Sequence, residues 1–176
     1  MNVFIISSSP RREGNSDLLC NEFMRGAQEA GHTVKKIFLK DKNINYCTGC
    51  SACVNTKRCV QKDDMDEILD EMKLADAIVL ASPIYFYTIC GQLKTMIDRC
   101  CAGYTELTDK DFYYIFTAAD STSSAMEKAT MELQGFLDCL DNPHRQGIIA
   151  GVGAWNKGEI KSKPAMKEAY EMGKGI

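Results

Sequence analysis

Val3-Phe4-Ile5-Ile6-Ser7-Ser8-Ser9-Pro10-Arg11-Arg12-Glu13-Gly14-Asn15-Ser16 is the stretch on which the reading of this chain turns. Val3–Ile6 is a short β-rich run, the trace that a buried parallel strand leaves. A polar loop follows, and then Leu19, Phe23, Ala27 and Ala30 recur on one helical face. The alternation continues to the C-terminus. Further strands are expected at Val34–Phe38, Ala77–Ala81, Phe112–Phe116 and Gly147–Val152. Helical stripes are expected at Met65, Ile68, Leu69 and Met72, at Leu93, Met96, Ile97 and Cys100, and at Met126, Ala129, Leu133, Phe136 and Leu140. A fifth helix is expected after Pro164. Five strands alternating with five helices predict an α/β domain with a doubly wound, five-stranded parallel sheet. Right-handed crossovers make 2-1-3-4-5 the expected strand order, with helices on both faces.

The chain has 176 residues, enough for one full core and too few for two ordinary domains. No internal repeat, low-complexity tract or linker divides it, so residues 1–176 are read as one domain. A net charge of −3 gives no reason to expect nucleic acid or an anionic membrane surface as partner. The longest apolar runs, such as Ala77–Ala81, fall far short of the ~20 residues that span a bilayer. Met1–Ser7 lacks a basic n-region and runs straight into a strand, so a cytoplasmic location is expected.

Ligands of such sheets bind beyond the carboxyl ends of the strands, at the switch point between the first and third. The loop Ser7–Ser16 lies there. Its hydroxyls, its Gly and the free N–H groups of a helix start suit a phosphate. It is neither a Walker A loop nor a GxGxxG fingerprint, which argues against ATP and against the dinucleotide mode of NAD binding. The competing reading is a capped helix after a polar turn, with Arg11 and Arg12 merely solvated.

Ser8-Ser9-Pro10-Arg11 followed by Gly14-Asn15-Ser16 resembles the phosphate loop of the NADPH-dependent FMN reductase and iron–sulfur flavoprotein family, with Ser8 where the family usually has Gly. Three further blocks resemble it: Ser82-Pro83-Ile84-Tyr85-Phe86 with Gly91–Lys94 and Asp98-Arg99, then Asp63-Asp64-Met65, then Lys157–Ile160 running on to Tyr170. The resemblance implies a flavodoxin-like fold and bound FMN. It places Ser7, Ser9, Pro10, Arg11, Asn15 and Ser16 at the phosphate. Ser82, Pro83, Ile84, Tyr85 and Phe86 are expected beside the ring, where aromatic and apolar side chains offer a flat surface. Thr117–Ser123 should approach from the other side, through Ala118 and Asp120. The family's Gly-rich stretch is missing there. Trp155, the only Trp, is read as packing, with ring cover or an oligomer contact as rivals.

Nine cysteines are many for such a chain, and without a secretory signal a disulfide framework is not expected. Cys47-x₂-Cys50-x₂-Cys53-x₅-Cys59 sits between the second strand and second helix. Four thiolates in so short a loop suit a [4Fe–4S] cluster, while a Cys₄ zinc site and reduced thiols stay open. His32 and His144, the only histidines, are remote in sequence. The resemblance implies a cluster that passes single electrons to FMN, its charge softened by Lys57 and Arg58. Cys20 and Cys139 are read as small hydrophobes within helices.

The implied activity is an FMN-dependent oxidoreductase passing electrons from NAD(P)H or a small reduced carrier to an acceptor such as a quinone or flavin. No side chain stands out as a general acid or base. A non-enzymatic iron–sulfur/flavin carrier between protein partners is the alternative. The family resemblance also implies a homodimer or homotetramer.

Overall fold

The computed structural model describes residues 1–176. Strands β1 (Asn2–Ser7), β2 (Thr33–Phe38), β3 (Ala77–Tyr85), β5 (Asp111–Thr117) and β6 (His144–Gly151) form a parallel sheet in the order β2-β1-β3-β5-β6. This is the expected order with one addition. A two-residue strand β4 (Thr88–Ile89) folds back antiparallel on the end of β3. No helix is long and apolar enough to cross a membrane.

Period-2 side-chain placement divides the core between the two faces. Phe4, Ile6, Ile78, Leu80, Phe112, Tyr114 and Phe116 face one side. There they meet α3 (Met65–Leu74), α4 (Gly91–Arg99) and α5 (Glu127–Leu137). Val3, Ile5, Val79, Tyr113 and Ile115 face the other side, under α1 (Asn15–Glu29) and α6 (Ala165–Lys174). These two helices cross closely. A Cβ on Gly26 would lie 2.1 Å from the Tyr170 carbonyl oxygen, and one on Gly173 would lie 2.1 Å from that of Phe23.

Four expectations need correction. β3 continues through Ser82–Tyr85, where a loop was expected, because Ser82 and Pro83 pair with Phe116 and Thr117 of β5. Pairing with β1 stops at Ala81, so the N–H that Pro83 lacks is not needed on that side. β6 begins at His144 rather than Gly147, since an exposed edge strand needs no apolar run, and a bulge near Gln146 absorbs one residue. Ala30 is exposed beyond the end of α1. Cys139 is exposed past the end of α5 and packs in no core.

Candidate functional site

A cleft opens at the carboxyl edge of the sheet between the β1–α1 loop and the end of β3. Its polar side carries Ser9, Arg11, Gly14, Asn15 and Ser16, and its other wall carries Pro83, Ile84 and Tyr85. These seven expected side chains, with Gly14 beside them, are brought together. Gly14 is the N-cap of α1 and has no side chain to cap it, so the first-turn N–H groups stay available. A Cβ there would meet the Arg11 carbonyl oxygen at 2.9 Å, so the tight turn needs glycine. Arg11 makes no ion pair, whereas Arg12 is tied to Asp41.

The other expected residues lie around the cleft rather than in its wall. Ser7 is buried beneath it, with its hydroxyl unpartnered. Ser82 is also buried; its Oγ donates to the Pro83 carbonyl and accepts the Cys90 N–H at 3.0 Å. Ser8 donates to the Ala81 carbonyl and accepts from the Cys90 thiol at 3.0 Å, which joins the β1–α1 loop to β3 and α4. Pro10 faces a neighbouring groove beside Leu39 and Gln92. Ala118 is buried, its N–H held by the Gly151 carbonyl. Asp120 points outward and accepts from Thr122, which keeps its carboxyl below the usual carboxylate range. Phe86 is 99% exposed. It and Tyr87 both have positive φ, 51° and 66°, forming the two-residue hairpin turn between β3 and β4. Bulky side chains adopt that conformation at a cost of ~1–2 kcal/mol each, so this turn is strained.

Thr117 and Ala119, within the loop expected to approach from the other side, line the wall, as do Ala154, which no sequence signal marks, and Lys157. Thr117 Oγ1 lies 2.7 Å from Ser16 Oγ, clasping the end of β5 to the first turn of α1. Asn15 fastens the third side. Its amide donates to the carbonyls of Ala154 and Asn156 at 3.1 and 3.0 Å, and its Oδ1 accepts the Gly158 N–H at 2.9 Å. Trp155 stands 74% exposed in the cleft wall, so it is not a packing residue. Glu159 accepts the N–H groups of Trp155 and Asn156, which fixes that loop.

The cysteine segment, between β2 and α3, forms a lobe that packs on the Cys100–Ala102 turn ending α4 and, through Ile44, Cys53 and Cys59, against the core. A five-residue helix α2 (Ala52–Thr56), absent from the expected elements, lies within it. Gly49, Ser51 and Lys57 are left-handed, so the chain doubles back around α2. Cys47, Cys50, Cys53 and Cys59 line one concavity. No three of the chain's Cys, His, Asp or Glu side chains are drawn together tightly enough to hold a metal ion. The donor chemistry nonetheless suits an iron–sulfur cluster or zinc: the lining holds thiols, Cys101 among them, and no histidine or carboxylate.

The lobe is closed at its base by a buried ion pair. Arg99 donates to both Asp63 oxygens, at 2.7 and 2.9 Å, and both side chains are 1% exposed. Arg99 also reaches the Asn45 carbonyl at 2.8 Å, and Asp63 accepts the Asn45 N–H at 3.0 Å. The guanidinium holds the Asp63 carboxyl well below the usual carboxylate range. Arg99 Nε is buried without a hydrogen-bond partner, and the hydrogen-bonded Asp63 carboxylate favours the charged guanidinium against the cost of its burial. Arg58, expected to soften the charge of a cluster, lies 3.7 Å from Asp66.

The strand order and the cleft at the switch point define a flavodoxin-like α/β domain. Residues 1–166 match the family described as NADPH-dependent FMN reductase, and the chain belongs to that family. It is 31% identical over 192 aligned positions to a protein of Archaeoglobus fulgidus named iron-sulfur flavoprotein, with all of this chain and 94% of that one covered. A protein of the same name from Methanosarcina thermophila is 30% identical over 171 positions, covering 90% of this chain and 85% of its own. Against several other curated relatives the chain spans about half their length, 43–52%. The fold is similar to that of an NAD(P)H:quinone oxidoreductase from Methanothermobacter marburgensis (TM-score 0.71, 18% identity, 99% and 95% of the two chains covered).

Proposed function

We propose that this chain is an FMN-dependent oxidoreductase that takes electrons from NAD(P)H or a small reduced carrier and passes them to an acceptor such as a quinone or flavin. The observation that carries the reading is the cleft itself: an uncapped helix start and an unpaired Arg11 face an apolar wall of Pro83, Ile84, Tyr85 and Trp155. That pairing of an anion cradle with a flat apolar wall fits FMN. The first-turn N–H groups of α1, Ser9 and Arg11 would hold the phosphate. Tyr85 and Trp155 would flank the ring and exclude water from it, and Asn15 would keep the two loops at their spacing. FMN, when bound, supplies an acceptor for two electrons that can release them singly.

Cys47, Cys50, Cys53 and Cys59 are proposed to hold a [4Fe–4S] cluster, which their shared concavity and all-thiol chemistry support. Arg99 would then offset part of the cluster's negative charge from beneath. Self-association into a homodimer or homotetramer is proposed on the exposed Tyr85-Phe86-Tyr87 turn beside the cleft.

Anaerobic purification followed by absorbance spectroscopy and by iron and sulfide analysis tests both cofactors at once. The expected result is one flavin per chain, about four irons with matching sulfide, and NAD(P)H oxidation with a quinone or free flavin. Cofactors without NAD(P)H turnover would instead make the chain a carrier between protein partners. Zinc alone would overturn the cluster, and failure to take up FMN would overturn the whole reading.

A further inference from the structure

The concavity of the cysteine lobe holds a fifth thiol. Cys101, carried on the Cys100–Ala102 turn that ends α4, lines it together with the four motif cysteines. Its Sγ lies 3.9 Å from Cys53 Sγ. A disulfide needs the two sulfurs at about 2.05 Å, so roughly 2 Å of approach separates the pair from a bond. The segment that must move is poorly anchored. α2, which carries Cys53, has five residues and none of them is fully buried, and it packs on the Cys101 turn itself. Cys101 is exposed, so an oxidant reaches it from solvent. Cys100 is buried and spends its S–H on the Met96 carbonyl at 3.4 Å, which leaves Cys101 as the reactive member of the two.

We propose that Cys53 and Cys101 are a redox-active dithiol that closes to a disulfide in the presence of hydrogen peroxide. The Cys101 sulfur attacks one peroxide oxygen, the O–O bond breaks, and the departing oxygen leaves as water. Cys101 then carries a sulfenic acid. The Cys53 sulfur attacks it, the S–S bond forms, the S–O bond breaks, and a second water leaves. Two thiols and one peroxide give one disulfide and two waters, with two electrons passing from sulfur to oxygen. One consequence rests on the proposed cluster: Cys53 cannot ligate iron and bond Cys101 at once, so peroxide and iron compete for it. The pair itself does not depend on the cluster.

The test uses the full, FMN-loaded chain, treated with hydrogen peroxide, blocked with N-ethylmaleimide, digested and sequenced by mass spectrometry. Two of the nine thiols should be lost, in a Cys53–Cys101 cross-link that dithiothreitol reverses. The cross-link should vanish in Cys101→Ser and persist in Cys100→Ser, with flavin absorbance intact in both as the check on folding. In iron-loaded protein it should appear in step with iron release, and in iron-free protein at once. An iron-free result therefore counts against the cluster and leaves the pair standing. A disulfide confined to Cys47, Cys50 and Cys59, a cross-link surviving in Cys101→Ser, or all nine thiols recovered free would overturn the proposal.

Discussion

Replacing Asp63 by Asn tests whether the buried ion pair holds the cysteine lobe to the domain. The substitution keeps the shape but removes the charge facing Arg99, and its single oxygen can accept from only one of the Asn45 and Met65 N–H groups, which bond different carboxylate oxygens. Both partners are 1% exposed, so solvent does little to screen what remains. The guanidinium already has one buried nitrogen without a partner, and the change turns one of its two carboxylate acceptors into an NH2 donor facing it. Breaking a buried pair from one side costs about 3–5 kcal/mol. For a chain of this length that is a fall in melting temperature of about 6–20 °C. Calorimetry at pH 7 reads it. The double variant Asp63→Leu/Arg99→Met should recover most of the loss, because no charge is then left buried. The pH dependence has a definite sign. The folded carboxyl titrates below its unfolded value of ~3.9, so the unfolded chain takes the proton first. The pair's contribution is full above about pH 5 and is lost as pH falls through the folded value. The Asn variant should lack that acid-side loss. A cost under about 1 kcal/mol, or a double variant as unstable as the single, would refute the assignment of the pair as the clasp of the lobe.

Three other outcomes are expected. Trp155 is the only tryptophan and lines the cleft, so its emission should be quenched saturably as FMN is added; unchanged emission alongside a bound-flavin spectrum would place the ring elsewhere. Gly26→Ala and Gly173→Ala should each lower stability by about 1–3 kcal/mol or more, although alanine raises helix propensity by ~1 kcal/mol, because each new Cβ meets backbone at 2.1 Å; thermal melts decide the sign. Burial pushes the thiols of Cys20 and Cys100 up to about 12, so peptide mapping after iodoacetamide treatment of the folded protein at pH 8 should find both unmodified, and early labelling of either would show that its helix opens.

Much of the scaffold was legible because it obeys periodic rules. Val3–Ile6 and Ala77–Ala81 read as strands since both faces of a central strand are buried, and the polar loop between Ile6 and Leu19 marked the switch-point cleft. Seven expected cleft residues do line it. Two of the misplaced ones, Ser82 and Ala118, fail for one reason. A run of neighbouring residues alternates its direction, so Ser82 and Ala118 turn into the core while Pro83 and Ala119 turn to the cleft. The onset of β6 was hidden because edge position, not hydrophobicity, makes His144–Gln146 a strand.

The sequence by itself determined the sheet order, the polar loop and helix start at Gly14 and the clustering of four cysteines, because each rests on spacing along the chain. Only the tertiary structure decided that Asp63 meets Arg99, that Trp155 and Lys157 complete the cleft, and that Cys101 joins the cysteine lobe. Those contacts depend on how the segments after β2 and β6 and the end of α4 pack, and no local periodicity encodes a distance between residues on separate loops.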